Sequence, residues 1–380
     1  MTLAETPDGD ERTLFIDETA LLETLGQAKR VLLVEPRYRR KYPPLGLAKI
    51  ATFVKRHGGE VVFTRKPTPG DYDLVCVTSL FTHASLPVRD AIREASCVLP
   101  DAPILLGGVA ATLVPNAVAG SALVYRGYSQ ALDECVPDYS IDWGVEEKWS
   151  KFSFTFTSRG CPNHCAYCAV PRLEPDLWVN PTWRSHIVDE KPHAMISDNN
   201  LSACPTEHVL ELIEFLVQKK KRVILDNGLD CKLITDEMAA ELARVRWVIL
   251  GLRLAFDRME EDGIFQEAVN RLRSGGVAKS NMMAYTLFNF TDTPQEADYR
   301  MHECVRLGIQ PYPQRYEPLN ITDRDKPFIG RHWTPNLLRA FRLFWMMAGY
   351  YKRGRFVDWA QQQDKYPLTA DDWAAWSASK

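Results

Sequence analysis

Short apolar runs alternating with amphipathic segments constrain this chain most. VLLV at 31–34 ends at Glu35 and Pro36, and Pro43 to His57 then reads as a helix with Leu47, Ile50 and Val54 on one side. Glu60 to Phe63, Leu74 to Thr78, Ile104 to Leu106 and Val124 with Tyr125 read as strands, with a helix at Val88 to Cys97. Gly107 and Gly108 close one strand and Gly127 another. Apolar strands spaced by helices imply crossover connections and hence parallel pairing. The expected fold here is α/β, a doubly wound (Rossmann-like) parallel sheet with its ligand edge at the strand C-termini.

Residues 128–150, with Pro137 and Gly144, read as a connection between domains, and a second series follows. Phe152 to Ser158, His193 to Ser197, Arg222 to Asp226, Trp247 to Phe256, Asn281 to Phe290 and Ile309 to Leu319 read as strands. Helix-like stretches at 206–219, 235–244, 264–273 and 294–306 lie between the later ones. Six strands with crossovers predict a partial (βα)6 TIM-like barrel, where chemistry gathers at the strand C-termini. Beyond Pro318, HWTPNLLRAFRLFWMMAGYYKRGRF reads as an amphipathic helix on the barrel, since apolar and aromatic residues at helical spacing mark a buried face, with a nucleic-acid or partner surface as the alternative. The expected division is an extension at 1–28, the first sheet at 29–145, the barrel at 146–320 and a helical segment at 321–380.

At 380 residues the chain exceeds what one core usually supports, in keeping with two domains. The 46 basic and 49 acidic residues nearly cancel, so no net charge draws the chain to nucleic acid or membrane. The N-terminus is acidic where a secretory signal would be basic and then apolar. The longest apolar candidate, Phe341 to Tyr351, is too short to span a bilayer, so the expectation is a cytoplasmic protein. Nine cysteines, three of them tightly clustered, fit metal binding in a reducing compartment better than a disulfide framework.

The cluster is TSRGCPNHCAYC, in which Cys161, Cys165 and Cys168 follow directly on a strand. One loop can wrap three such thiolates around a single iron–sulfur cluster. A [4Fe–4S] cluster has four corners, so three protein ligands leave one iron open. A structural zinc site is the alternative, but it needs four ligands in paired knuckles. No second knuckle appears, and His164 would serve only if the loop folded back. The CxxxCxxC spacing, with the aromatic Tyr167 before the third cysteine, resembles the radical S-adenosylmethionine (SAM) superfamily. That resemblance covers roughly residues 30–320. It implies a cluster whose open iron binds the amino and carboxylate groups of SAM and whose electron cleaves SAM to a 5′-deoxyadenosyl radical. A flavodoxin- or ferredoxin-type donor is implied as partner.

By the same resemblance, ISDNN at 196–200 ends the second strand where the family holds the SAM ammonium, which nominates Asp198 with Asn199 beside it. A helix N-cap is the other reading of Asp198. LDNGLD and LRLAFD place Asn227, Asp230, Arg253 and Asp257 at strand ends. Arg253 matches a partner for the SAM carboxylate through its forked donors, and an Arg253–Asp257 salt bridge is the alternative. AYTLFNF resembles the segment that packs on adenine, nominating Tyr285 and Leu287, which core packing would equally explain.

YPPLGLAKIATFVKRHGGEVVF, LLGGVAATLVPN and PDYSIDW resemble the cobalamin-binding-like domain that precedes many of these barrels. The DxHxxG element that ligates cobalt elsewhere is absent, and Arg126-Gly127-Tyr128 replaces the usual acidic turn after Val124. The resemblance thus allows cobalamin, or a degenerate domain without it. The expected activity is on a small-molecule substrate, by methyl transfer or radical rearrangement. The alternatives are a methylthiotransferase-like enzyme acting on tRNA or protein, which would need upstream cluster cysteines where Cys76, Cys97 and Cys135 fall in apolar or helical settings, and an iron–sulfur carrier or sensor with Cys204 as fourth ligand.

Overall fold

Arg30–Val34 (β2) shows why the first half folds as it does. Val31 and Leu33 turn to one face of the strand, Leu32 and Val34 to the other, and all four are inaccessible to solvent. Leu74–Ser79 (β4) alternates likewise, Leu74 and Cys76 opposite Val75 and Val77. Such strands must lie inside a sheet covered on both faces. On one face Val31, Leu33, Leu74 and Cys76 meet Leu21 and Leu25 of helix Glu18–Gln27 and Leu47, Ala51 and Val54 of helix Leu45–Arg56. On the other, Leu32, Val34, Val75 and Val77 meet Val88, Ile92 and Ala95 of helix Ser85–Val98.

The computed structural model describes residues 13–39, 41–323, 326–346, 354–364 and 367–378. The acidic stretch at 1–12 and the part of the C-terminal segment at 347–353 lie outside the described residues. The chain divides into two units, the first reaching His193 and including Leu319–Lys326, the second comprising Ala194–Pro318 and the chain from Pro327.

The first unit is a Rossmann-like α/β fold. Its six-stranded sheet has the order β1-β6-β5-β4-β2-β3, with β1 Leu14–Ile16, β3 Glu60–Thr64, β5 Ile104–Gly108 and β6 Leu123–Tyr125, and every pairing is parallel. The partly buried strands β1 and β3 are the edges. β1 falls in the stretch read as an extension, where three residues on a half-exposed edge leave little pattern to see. The expected connection at 128–150 also contributes to this core, for Trp143 is buried beside Phe63 at 4.8 Å between ring centroids. Phe152–Thr155 (β7) and Ser158–Arg159 (β8) divide what the sequence reads as one strand.

The second unit begins with His193–Ile196 (β10), beside which stand Arg222–Leu225 (β11) and Arg246–Trp247 (β12). A separate parallel sheet joins Leu252–Ala255 (β13), Met282–Phe288 (β14) and Gln310–Arg315 (β15). The expected single strand Trp247 to Phe256 is therefore wrong: Leu250 takes a left-handed φ of 60° and the chain breaks there. The periodicity hides the break because the residues on either side are apolar. A bridge between Leu229 and Leu254 and the Leu225 N to Gly251 O bond of 2.8 Å carry the chain after β11 onto β13. Helices Thr206–Gln218, Asp236–Ala243, Ile264–Ser274 and Pro294–Arg306 lie within two residues of their expected bounds. Beyond them, helix Pro335–Met346 buries Leu337, Phe341, Phe344 and Trp345 with Phe288, Ala297 and Met301, the core-packing role expected of this segment. Among the described residues no helix is long and apolar enough to cross a membrane.

Candidate metal centre

The cysteine loop leaves the sheet region through β8 and returns through Trp178–Val179 (β9), with Ser158 opposite Val179 and Arg159 opposite Trp178 in an antiparallel ladder. Its two ends are thereby clamped. Gly160, the first residue past the clamp, has φ +79°, and a Cβ there would collide with the Asp176 carbonyl oxygen. Only glycine meets both demands. The loop then turns on itself, Cys168 N donating to Cys165 O at 3.0 Å.

Backbone amides already point at two of the thiols. Asn163 N donates to Cys161 Sγ at 3.4 Å and Val170 N to Cys168 Sγ at 3.5 Å. Hydrogen bonds of this kind stabilise thiolate charge and tune iron–sulfur clusters. All three cysteines are half-buried, as is Tyr167, while His164 is exposed. Among the described residues no three His, Cys, Asp or Glu side chains, the loop cysteines included, stand close enough to hold a metal ion. The donor set nonetheless fits a cluster chemically: three thiols within eight residues, amides directed at sulfur, and a backbone opened by glycine.

Beneath the loop lies a chain of buried ion pairs that sequence reasoning missed. Arg159 donates from Nε to Asp133 Oδ2 at 2.5 Å, from one terminal nitrogen to Asp133 Oδ1 at 2.8 Å and from the other to Glu174 Oε1 at 2.8 Å. Glu174 Oε2 in turn accepts from Gly160 N at 2.9 Å. Lys49 Nζ reaches Asp133 Oδ1 at 2.5 Å and its carbonyl at 3.1 Å. Burial pushes the Asp133 carboxyl up, but Arg159 and Lys49 outweigh it and hold the group down at about 2. Burial likewise pushes Lys49 down, and Asp133 offsets part of that. The Arg159 guanidinium also stacks 3.4 Å from the Phe156 ring centroid. The one signal in sequence was a lysine, Lys49, within the apolar helix LGLAKIATFVKR.

In the second unit the candidate residues fall into two groups. Asn227 Nδ2 donates to Ser197 O at 2.8 Å, and Asp230 N donates to Ser202 Oγ at 2.9 Å, so the ends of β10 and β11 are tied side by side. Asp198, between them, is a buried carboxylate at 4% exposure, and Asn199 is half-buried. The N-cap of the helical turn that follows is Asn200, so the capping reading of Asp198 misses by two residues. Asp230 does cap a turn, accepting from Lys232 N at 3.1 Å. Arg253 and Tyr285 converge on Asp226: Arg253 pairs with its carboxylate and donates to its carbonyl at 2.7 Å, while Tyr285 Oη donates to the same carbonyl at 2.8 Å. Arg253 also donates to Tyr285 Oη at 2.5 Å. The ion pair thus forms with Asp226, where the sequence pointed to Asp257; Asp257 accepts from Leu287 N at 2.9 Å. Asp226 directly follows β11, as Asp198 follows β10 after Ser197. Burial pushes the Tyr285 phenol up to about 12, so it stays a neutral donor. Leu287 is buried.

No family model and no curated protein matches the sequence. Function must therefore be argued from the sites themselves.

Cys76 is buried in β4, where burial pushes its thiol up to about 12, and burial also raises Cys135. Cys97 is exposed on helix Ser85–Val98. Cys204 is buried, its thiol 3.9 Å from Asn200 O.

Proposed function

We propose that this chain is a radical SAM enzyme whose Cys161, Cys165 and Cys168 hold a [4Fe–4S] cluster, with the second unit contributing to a partial (βα)6 barrel. The cysteine loop carries this reading, with three thiols on one clamped turn and backbone amides directed at two of the sulfurs. Bound there, the cluster would supply the electron that cleaves SAM to methionine and a 5′-deoxyadenosyl radical.

The chain's own residues would bind and orient. Asp198, buried and acidic, suits the SAM ammonium, because a charged hydrogen bond is strongest in a partly dry site. Arg253 keeps its Nε buried without a hydrogen-bond partner, a donor left over for a carboxylate after Asp226 takes the terminal nitrogen. Asn199, Asp230, Tyr285 and Tyr167 complete the assignment, Tyr285 offering a ring face to adenine. The substrate is a small molecule, the electron comes from a flavodoxin- or ferredoxin-type protein, and the enzyme works in the cytoplasm.

Cobalamin belongs, in this reading, at the C-terminal edge of the six-stranded sheet. Gly107 is open there, with no atom within 4 Å of an added Cβ, while Gly108 at φ +104° abuts the Ser79 carbonyl oxygen. Retention of hydroxocobalamin in equilibrium dialysis tests this part, and no retention would make the edge a substrate or packing surface only.

The central test is anaerobic reconstitution. The wild type should take up about four irons per chain and convert SAM to 5′-deoxyadenosine by mass spectrometry. Replacing the three cysteines with Ala should abolish both. Stoichiometric zinc with no iron would overturn the proposal.

A further inference from the structure

Helix Pro335–Met346 carries two stripes. Leu337, Phe341, Phe344 and Trp345 face the core, which the buried Leu338 also reaches. Pro335, Leu338, Arg339, Arg342, Leu343 and Met346 recur at intervals of three and four, the spacing of a second face. With Arg315, Pro327 and Ile329 that face lines a groove of about 510 Å3, within the roughly 300–1,000 Å3 of small-molecule sites.

Among the described residues that line it the wall is apolar apart from three guanidinium groups, of which Arg339 also donates to Asn336 Oδ1 at 2.7 Å. Arg315 donates to Phe328 O at 2.8 Å and lies 3.2 Å from Glu317, yet its Nε is buried without a hydrogen-bond partner. Burial lowers its pKa, Glu317 offsets part of that, and Arg342 lowers it further by like-charge repulsion. Arg342 Nε reaches the Met346 sulfur at 3.1 Å, a weak acceptor for a guanidinium. Met346 is 48% exposed. Cations crowded against apolar surface, one with an orphaned donor, are arranged as an anion would require.

The groove also lies apart from the Arg253–Tyr285 group. Tyr312 on β15 meets Tyr285 at 5.6 Å between ring centroids, and the alternation of a strand turns Pro311, Pro313 and Arg315 to its other face. We propose that this groove binds an amphiphilic oxyanion, a carboxylate or phosphate head on Arg315, Arg339 and Arg342 with an unbranched apolar tail along Ile329, Leu338, Leu343 and Met346.

Titration calorimetry of the full-length protein with decanoate, decyl phosphate and decanol, each below its micelle concentration, tests this without any cluster. One saturable site is expected for at least one anion, and the tighter of the two identifies the head group. Decanol should bind at least tenfold more weakly. The exposed Arg342→Gln and Arg339→Gln should each weaken the anion at least tenfold, with circular dichroism unchanged, and Leu343→Asn should weaken it through the tail. Absence of saturable anion binding, decanol binding as tightly as the anions, or full affinity in both arginine variants would overturn the proposal.

Discussion

Replacing Asp133 with Asn removes the central charge of the buried ion-pair chain beneath the cysteine loop. The Asp133 side chain is 4% exposed and accepts from Arg159 and from Lys49, itself 3% exposed. Asparagine keeps the shape but leaves Lys49 without a counter-charge and Arg159 with Glu174 alone. Breaking a buried pair by removing one partner typically costs about 3–5 kcal/mol. The depressed pKa corresponds to a lower figure. A carboxyl held at about 2 when folded, against roughly 3.9 unfolded, corresponds to about 2–3 kcal/mol. The larger figure includes the penalty of the orphaned cations, and we expect the mutant to show it. Because the folded pKa is depressed, this contribution is complete above about pH 4 and is lost as pH falls toward 2. Calorimetry at pH 7 should show the first unit melting roughly 6–20 °C lower. Its acid destabilisation between pH 4 and 2 should be shallower than the wild type's. Glu94→Gln, which removes the surface pair with the 57% exposed Arg37, is the control and should cost less than about 1 kcal/mol. If Asp133→Asn melts within about 2 °C of wild type at pH 7, the network does not support this region.

His186 is fully buried and hydrogen-bonds through Nδ1 with Thr155 Oγ1 at 3.1 Å, and burial pushes its pKa down to about 4. The folded chain therefore refuses a proton that the unfolded chain takes up, so stability falls as pH drops from about 6.5 to 4, by about 3 kcal/mol in all. His186→Gln should flatten urea midpoints across that window, and an unchanged slope would refute the assignment. Gly160→Ala must adopt φ +79° and displace the Asp176 carbonyl, costing about 1–3 kcal/mol. Thermal melting checks that cost, and iron bound after reconstitution should fall with it. Phe341→Ala empties a site at 0% exposure against Trp333, Phe288 and Phe356, whose ring centroids lie 5.1–5.5 Å away. It should cost about 3–5 kcal/mol in denaturant titration.

What the sequence made legible follows from range. VLLV declares a strand buried on both faces because both faces are written in consecutive residues, and the later helices declare themselves through their own apolar stripes. The break at Leu250 is not written that way. It depends on β12 and β13 belonging to different sheets, which no local pattern records. The two sites divide on the same line. Cys161, Cys165 and Cys168 are visible because one short loop holds them all. Their support is invisible because Asp133 gathers Lys49 from 84 residues away and Arg159 from 26. Asp226 escaped notice for a related reason, since only the fold brings Arg253 and Tyr285 onto it. A motif therefore names the atoms that would hold a cluster and leaves unnamed the charges that fix the loop. Arg159 and Glu174 illustrate the point: through Gly160 N they anchor the backbone one residue before Cys161, so loss of Asp133 should loosen the loop.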